Sequence, residues 1–279
     1  MQFSIVTPSF RNSRWLKLCI ASVADQQGIE VEHIVQDAAS DDGTLDWLPQ
    51  DKRVRAFVEK DAGMYDAVNR GLRRSSGDLL AYLNCDEQYL PGALQAVAEF
   101  FHANPSVEII FADTVVIDAH GGYICDRKVL LPQPNHSTVC SLGVLTAAMF
   151  FRRTALQNHD LYFDSKWRDV GDVDWVLRAL RQRAKMAVLR RFTSAFTDTG
   201  DNMNLKPNAR RESKLMVESA PKLVQKLAPA FKIHHRLRRL VHGLYFHKPH
   251  RYSIYTRSSP GERLTFKVEK PTAIWKARL

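Results

Sequence analysis

Acidic side chains stand just past three short strand-like segments. Asp37 follows the run 31–35 and Asp61 follows 54–58. Asp86 and Glu87 follow 79–83, with Asn84 beside them. In open α/β sheets ligands bind beyond the carboxyl ends of the strands, so these are the positions to question for chemistry. Several carboxylates gathered at one edge repel one another unless a positive group lies among them. A hard divalent cation, Mg2+ or Mn2+, takes oxygen ligands of this kind, and a diphosphate would complete its shell. Further along, Asp172 and Asp174 open a stretch with helical spacing. Two residues apart, they cannot share a helix face, so Asp174 is expected to cap or support the helix. Each Asp also has a plainer use. Asp favours turns, which would account for Asp37 or Asp61 taken singly and for Asp41-Asp42-Gly43. Asp172 would serve as an N-cap. Asp86-Glu87 at the end of an apolar strand resists such an account.

The elements that must position these residues alternate strand and helix. Residues 3–7 read as a strand ended by Pro8. Asn12 or Ser13 caps a helix with Leu16, Cys19, Ile20 and Val23 on one face. The second and third strands fall at 31–35 and 54–58. Tyr65, Val68 and Leu72 recur at helical spacing, and Ser76-Gly77 ends that helix. The run 79–83 is apolar throughout, as in a strand covered on both faces. Pro91 opens a helix with Leu94, Val97 and Phe101 inward, and 107–112 is another strand. This rhythm predicts a mainly parallel sheet flanked by helices. Gly121-Gly122 and Pro132-Gln133-Pro134 mark 121–146 as loop-rich, with His136 expected at the surface. Order returns at 149–151 and in a helix over about 172–183.

The chain has 279 residues, 45% hydrophobic and 25% charged. That fits one large α/β domain or a domain with an extension, and excludes wholesale disorder. No apolar run approaches the roughly 20 residues that span a bilayer. Met1 leads straight into a strand-like segment without a basic n-region, so no signal peptide is expected. Cys19, Cys85, Cys125 and Cys140 are scattered without metal-ligand spacing and are expected as reduced thiols in a cytoplasmic protein.

The net charge of +10 is uneven. Residues 205–279 hold 18 Lys and Arg against 4 Asp and Glu, while 1–204 hold 22 against 26. With Pro207, Pro221, Pro229 and Pro249 punctuating it, this part is expected to form a basic extension behind a domain of residues 1–204. Within it Ile233, Leu237, Leu240, Val241 and Leu244 recur at helical spacing, among Lys232, Arg236, Arg238 and Arg239. A basic amphipathic helix is a membrane-surface signal. The alternative is a helix packed on the domain with its charged face in water. The surplus also raises a nucleic-acid-binding reading. The tail lacks interleaved aromatic platforms and any recognised motif, so no nucleic-acid partner is expected.

These motifs, in this order, resemble the family-2 glycosyltransferases over about residues 3–204. The most specific stretches are Asp61-Ala62-Gly63-Met64-Tyr65-Asp66-Ala67-Val68-Asn69-Arg70-Gly71-Leu72, Ser76-Gly77-Asp78, Leu83-Asn84-Cys85-Asp86-Glu87 and Tyr89-Leu90-Pro91-Gly92-Ala93-Leu94. The resemblance implies an α/β GT-A fold: a Rossmann-like, mainly parallel sheet flanked by helices, here with a basic helical C-terminal extension. It implies an inverting, metal-dependent, hexosyltransferase-like enzyme. Such an enzyme moves a sugar from a nucleotide-sugar, a UDP-sugar first among them, to a hydroxyl of a saccharide or lipid-linked acceptor. The setting would be bacterial surface polysaccharide or glycolipid synthesis, in the cytoplasm or peripherally on the inner face of the membrane.

Carried over by position, Thr7, Pro8 and Ser9 match the loop that packs on the nucleotide, and Asp37 matches the Asp that holds its base. Asp61 and Asn69 match donor-site positions. Asn84 and Asp86 match the first and last positions of the metal-binding DxD motif, with Asp86 the metal ligand. Asp172 matches the catalytic base, and His136 loosely matches a position near the acceptor. The chain departs from the pattern in three places: Asn84 replaces an Asp, Glu87 stands where a further Asp is usual, and Gly171 stands where an acidic residue often precedes the base. A sugar nucleotidyltransferase would also use carboxylates and a metal. It needs a Gly-rich loop with Arg and Lys after the first strand, and Thr7-Pro8-Ser9-Phe10 is not one. A non-catalytic relic of the fold is disfavoured by intact Asp37, Asp86 and Asp172.

Overall fold

The computed structural model describes residues 1–140, 142–200, 202 and 206–275. The expected boundary between 1–204 and 205–279, at Asn204 and Leu205, lies outside the described residues.

The first half follows the expected alternation. Strand β1 (Phe3–Ser9) leads to helix α1 (Ser13–Ala24), strand β2 (Val31–Asp37), strand β3 (Arg55–Val58), helix α2 (Met64–Arg74) and strand β4 (Leu79–Tyr82). These four strands pair in parallel in the order β3-β2-β1-β4. Pro8 does not end β1, contrary to the expectation. Val6 turns its carbonyl to Leu83 and Ser9 turns its own to Ala38. Pro8 therefore faces the β4 side, where pairing already stops at Val6 and Tyr82. A missing N–H costs no ladder bond there.

Beyond β4 the sheet becomes mixed. Strand β5 (Glu87–Tyr89), helix α3 (Ala93–Ala103), strands β6 (Ile109–Asp118) and β7 (Tyr123–Arg127) and the short helix α4 (Pro134–Val139) come next. Strand β8 (Met149–Arg152), helix α5 (Arg153–Asn158), helix α6 (Gly171–Arg181) and strand β9 (Met186–Asp198) complete it. The full order is β3-β2-β1-β4-β8-β6-β9-β5, with β7 on β6. β8 runs antiparallel between β4 and β6.

Alternating side chains divide the core into two layers, as the pleat requires. Val6, Leu80, Tyr82, Ile109, Phe111, Met149 and Phe151 point to the side covered by α2 and α6. Phe3, Ile5, Leu79, Ala81, Ile110 and Phe150 point to the side covered by α1 and α3. Gly71 lets α2 lie close on β1: a Cβ there would sit 2.3 Å from the Val6 side chain.

The C-terminal part is helical only as far as Val241. Helices α7 (Pro207–Glu218), α8 (Lys222–Lys226) and α9 (Ala228–Val241) precede an antiparallel hairpin of β10 (His250–Thr256) and β11 (Ser259–Val268). Tyr252 and Ile254 alternate inward and join Leu90, Val115, Ile117 and Ala195 of the main sheet in one apolar cluster. Gln88 exchanges two hydrogen bonds with the Tyr255 backbone. The Arg263 guanidinium lies on the Asp25 carboxylate at 2.5 and 2.7 Å. Asp126, fully buried, has His247 Nδ1 at 2.8 Å and His250 Nε2 at 3.0 Å. The hairpin is thereby fixed against α1, β5 and β7. Among the described residues no helix is long and apolar enough to cross a membrane.

Candidate active site

Parallel pairing brings Ser9 level with Asp37 at the carboxyl ends of β1 and β2. Asn84 and Asp86 follow β4 on the same edge. The backbone between Asn84 and Glu87 closes on itself: the Glu87 N–H donates to the Asn84 carbonyl, and the Asn84 N–H donates to Glu87 Oε2, each at 3.0 Å. Glu87 Oε1, Asn84 Oδ1 and Ser9 Oγ are buried and have no hydrogen-bond partner among the described residues. Buried polar atoms left in this state call for an explanation. Here three of them mark the edge on which the sequence placed the donor.

Not every predicted donor residue points its side chain at that edge. Thr7 Oγ1 lies 2.9 Å from His33 Nε2 and is committed within the core. Burial lowers that imidazole's pKa to about 3, so His33 is neutral. Asp37 is fully buried and accepts both the N–H and the hydroxyl of Ser40, each at 2.8 Å. It shapes the turn in which Ala39 takes a φ of 62°. Asp61 accepts the Gly63 N–H at 2.9 Å at the start of α2. Burial raises its pKa, and nearby Asp66 and Asp37 add to the rise. Asn69 spends both ends of its amide on the Phe163 backbone, at 2.7 and 2.8 Å. It pins the segment that precedes α6.

Asp172 is on α6, in its first turn, and is not the N-cap, which is Val170. Burial raises its pKa to about 6. Asp174 supports the helix as expected, through an ion pair with Arg178 at 2.8 Å. Burial raises Asp86, and burial followed by the charge of Asp86 raises Glu87. Asp172 also pushes Glu87 upward, so the ends of β4 and α6 share one electrostatic site. Three carboxylates that each resist ionisation form a place where added positive charge is strongly favoured.

Two residues that the sequence reading did not assign hold Asp172 in place. The Tyr65 hydroxyl accepts the Asp172 N–H at 3.1 Å, and its ring stacks on Phe163 at 5.2 Å. This also explains Gly171, where an acidic residue was expected: a Cβ there would stand 2.6 Å from the Tyr65 ring. Glu212, buried on α7, accepts the N–H groups of Arg168, Asp169 and Val170 at 3.0, 2.9 and 3.3 Å. Burial alone would raise the Glu212 pKa, but the bonds from Asp169 and Arg168 outweigh it and hold the pKa below the ordinary value. Tyr65 lay inside a recognised motif, so a signal for it existed. Glu212 had none, because its partners are about forty residues earlier. His136 is buried rather than at the surface, with Nε2 2.9 Å from His234 Nδ1 on α9.

The residues at the β4 edge suit a divalent cation. Asp86 offers a carboxylate, and Asn84 Oδ1 and Glu87 Oε1 lack partners. Among the described residues no three His, Cys, Asp or Glu side chains form a complete metal cage. A hard cation here would take the rest of its shell from phosphate and water, as Mg2+ commonly does.

A mixed, mainly parallel sheet with acidic residues past its strand ends and a further Asp on a facing helix defines the class of GT-A transferases. Residues 4–157 match the model of glycosyl transferase family 2, and the chain belongs to that family. It is therefore a glycosyltransferase of the nucleotide-sugar-using kind. It is 26% identical over 192 residues to a PGL/p-HBAD biosynthesis glycosyltransferase of Mycobacterium bovis, covering 65% of this chain and 71% of that one. Its fold is similar to S. aureus TarS solved in complex with UDP-GlcNAc, with a TM-score of 0.61 and 16% identity over 86% of this chain and 73% of that one. It is also similar to the mannosyltransferase PcManGT of Pyrobaculum calidifontis, solved with GDP-Man and Mn2+, with a TM-score of 0.54 and 12% identity over 88% and 81%.

Proposed function

We propose that this enzyme is an inverting hexosyltransferase that takes its sugar from a UDP-sugar and places it on an acceptor hydroxyl. The observation that carries the reading is the trio Asp86, Glu87 and Asp172 around the β4 edge, each raised by burial, with Glu87 raised further by the charges of the other two. Asp172 accepts the proton of the acceptor hydroxyl while that oxygen attacks the anomeric carbon. The bond to the nucleoside diphosphate breaks as the new glycosidic bond forms on the opposite face. A base with a pKa near 6 is largely ionised at neutral pH and still basic enough to take a proton, the balance general-base catalysis favours. Asp86, with Asn84 Oδ1 and Glu87 in support, would hold Mg2+ or Mn2+. That ion would offset the charge developing on the departing diphosphate. Ser9 and Asp61 stand on the side where the nucleotide would lie, and buried Asp37 shapes the turn beside them. The relative named for PGL/p-HBAD synthesis supports a role in bacterial surface polysaccharide or glycolipid assembly. The acceptor is then a saccharide or lipid-linked glycan, met in the cytoplasm at the inner face of the membrane.

The test is a thermal-shift screen of nucleotide-sugars with and without Mn2+, followed by calorimetry on Asp86→Ala. A UDP-sugar should stabilise the parent more strongly with Mn2+, since a ligand of the native state raises stability. Asp86→Ala should lose the Mn2+-dependent part and keep its fold. Equal donor affinity in variant and parent overturns the assignment of Asp86.

A further inference from the structure

α9 packs with its sides exchanged relative to an ordinary surface helix. Ile233, Leu237, Leu240 and Val241 lie four, three and one residues apart and so share one face. They are 60%, 53%, 48% and 82% exposed. The opposite side carries the polar groups inward. Arg239 is only 8% exposed, Arg238 donates to the Leu131 carbonyl, and His235 and Arg238 line a small cleft against α4. Burying arginine and imidazole while aliphatic side chains stand in water is unfavourable for an isolated domain. The arrangement becomes favourable when an apolar phase covers the outward side.

The exposed apolar surface continues beyond the helix. Leu223 on α8, Leu227 between α8 and α9, and Phe246 after α9 are also exposed. Exposed Lys232 and Arg236 flank it on α9, and Lys222, Lys226 and Lys248 are exposed in the adjoining segments. A second copy of this chain is a poor occupant, because pairing the face with itself sets Lys232 and Arg236 near their own copies. We infer that the α8–α9 face docks on an anionic lipid surface, with the helix lying in the interface plane and the bordering cations on the headgroups. α4 packs against both α9 and α6. α4 thereby links the docked helix to α6, the helix that carries Asp172. The inference names the surface that the proposed lipid-linked acceptor would require, and the docking can be measured without turnover.

The experiment is co-sedimentation of the full chain with phosphatidylglycerol or phosphatidylcholine vesicles, alongside sedimentation velocity. The parent should pellet with phosphatidylglycerol, stay in the supernatant with phosphatidylcholine, be released by high salt and sediment as a monomer when free. Leu237→Asp with Val241→Asp should weaken partitioning at least about tenfold, because affinity follows the apolar area inserted. Lys232→Glu with Arg236→Glu should weaken it separately through charge. Both pairs replace exposed side chains, and unchanged melting temperatures and UDP binding would confirm intact folds. Failure to pellet with phosphatidylglycerol at low salt overturns the inference. So does undiminished binding by both variant pairs, or an oligomer that the Leu237/Val241 pair dissolves. None of these results touches donor binding, so the sugar-transfer reading stands or falls on its own test.

Discussion

The proposed donor edge and the helix that carries Asp172, the proposed base, are assembled from different distances along the chain. At the donor edge the carboxylates are held by near neighbours: Asp37 by Ser40, Asp61 by Gly63, Glu87 by Asn84. The segment leading to Asp172 is held from afar. Asn69 grips it from α2 across 94 residues, Tyr65 across 107, and Glu212 across 42 to 44. A site made of local turns can keep its shape while the rest of the fold relaxes. A base positioned by three remote contacts depends on the whole fold being intact. The pairing matches the chemistry: binding a nucleotide tolerates small shifts, whereas proton transfer at an attacking oxygen depends steeply on geometry.

The strongest way to break this contrast is Asp172→Asn. Turnover should fall by at least roughly 10²-fold, the usual cost of losing a general base, while donor affinity stays at the parent value. In the parent, turnover should decline as pH drops through about 6, where Asp172 gains its proton. Single-turnover rates across pH, with calorimetric donor binding alongside, check both. A variant with parental turnover would leave Asp172 as part of the helix start and nothing more.

Glu212→Gln sharpens the contrast from outside the site. Three N–H groups on one carboxylate are charge-assisted bonds, worth about 1.5–3 kcal/mol for a bond to a charged group. We expect roughly tenfold lower turnover with donor affinity unchanged, as the loop before α6 loosens and misplaces the base. If donor affinity falls in step with turnover, the two regions are coupled and the contrast fails.

The smallest expected effect lies in stability. Asp86, Glu87 and Asp172 all have raised pKa values, so the folded state binds their protons more tightly than the unfolded chain does. Their contribution is therefore present at low pH and is lost as pH rises from the ordinary carboxylate range through about 6 and above. Glu87→Gln keeps an acceptor for the Asn84 N–H and cannot ionise. Without metal it should melt higher than the parent at pH 8, by about 2–4 °C per kcal/mol of relieved burial cost, and match it near pH 4. A lower melting point at pH 8 would mean that ionised Glu87 is paired.

Much of the donor half was legible because its signals are local. Apolar runs bounded by Asp, Gly and Pro fixed β1 to β4, α1 and α2, and motif order fixed the edge on which Asp37, Asp61 and Asp86 lie. The stretch from 121 to 146 was less so. α4 has only six residues, and the β7 ladder is irregular where Val116 gives way to Ile117. β5 escaped notice because a three-residue strand carries no period. The β10–β11 hairpin is not legible because positive charge dominates its composition, while Tyr252 and Ile254 bury against Val115, Ile117 and Ala195, dozens to more than a hundred residues earlier.

By itself the sequence determined the kind of fold, the acidic edge and the motif around Asp172, since each rests on residue type and short spacing. Only the tertiary structure decided how those residues are employed. It committed Thr7 to His33 and Asn69 to Phe163, filled the space beside Gly171 with the Tyr65 ring, and brought Glu212 to the loop before Asp172. It also decided which side of α9 faces the protein. Helical spacing defines two faces but assigns neither to the core, because that choice depends on what the neighbouring elements offer to each. Here α4 offers His136, and the imidazole and guanidinium side of α9 turned to it, leaving Leu237 and Val241 outside.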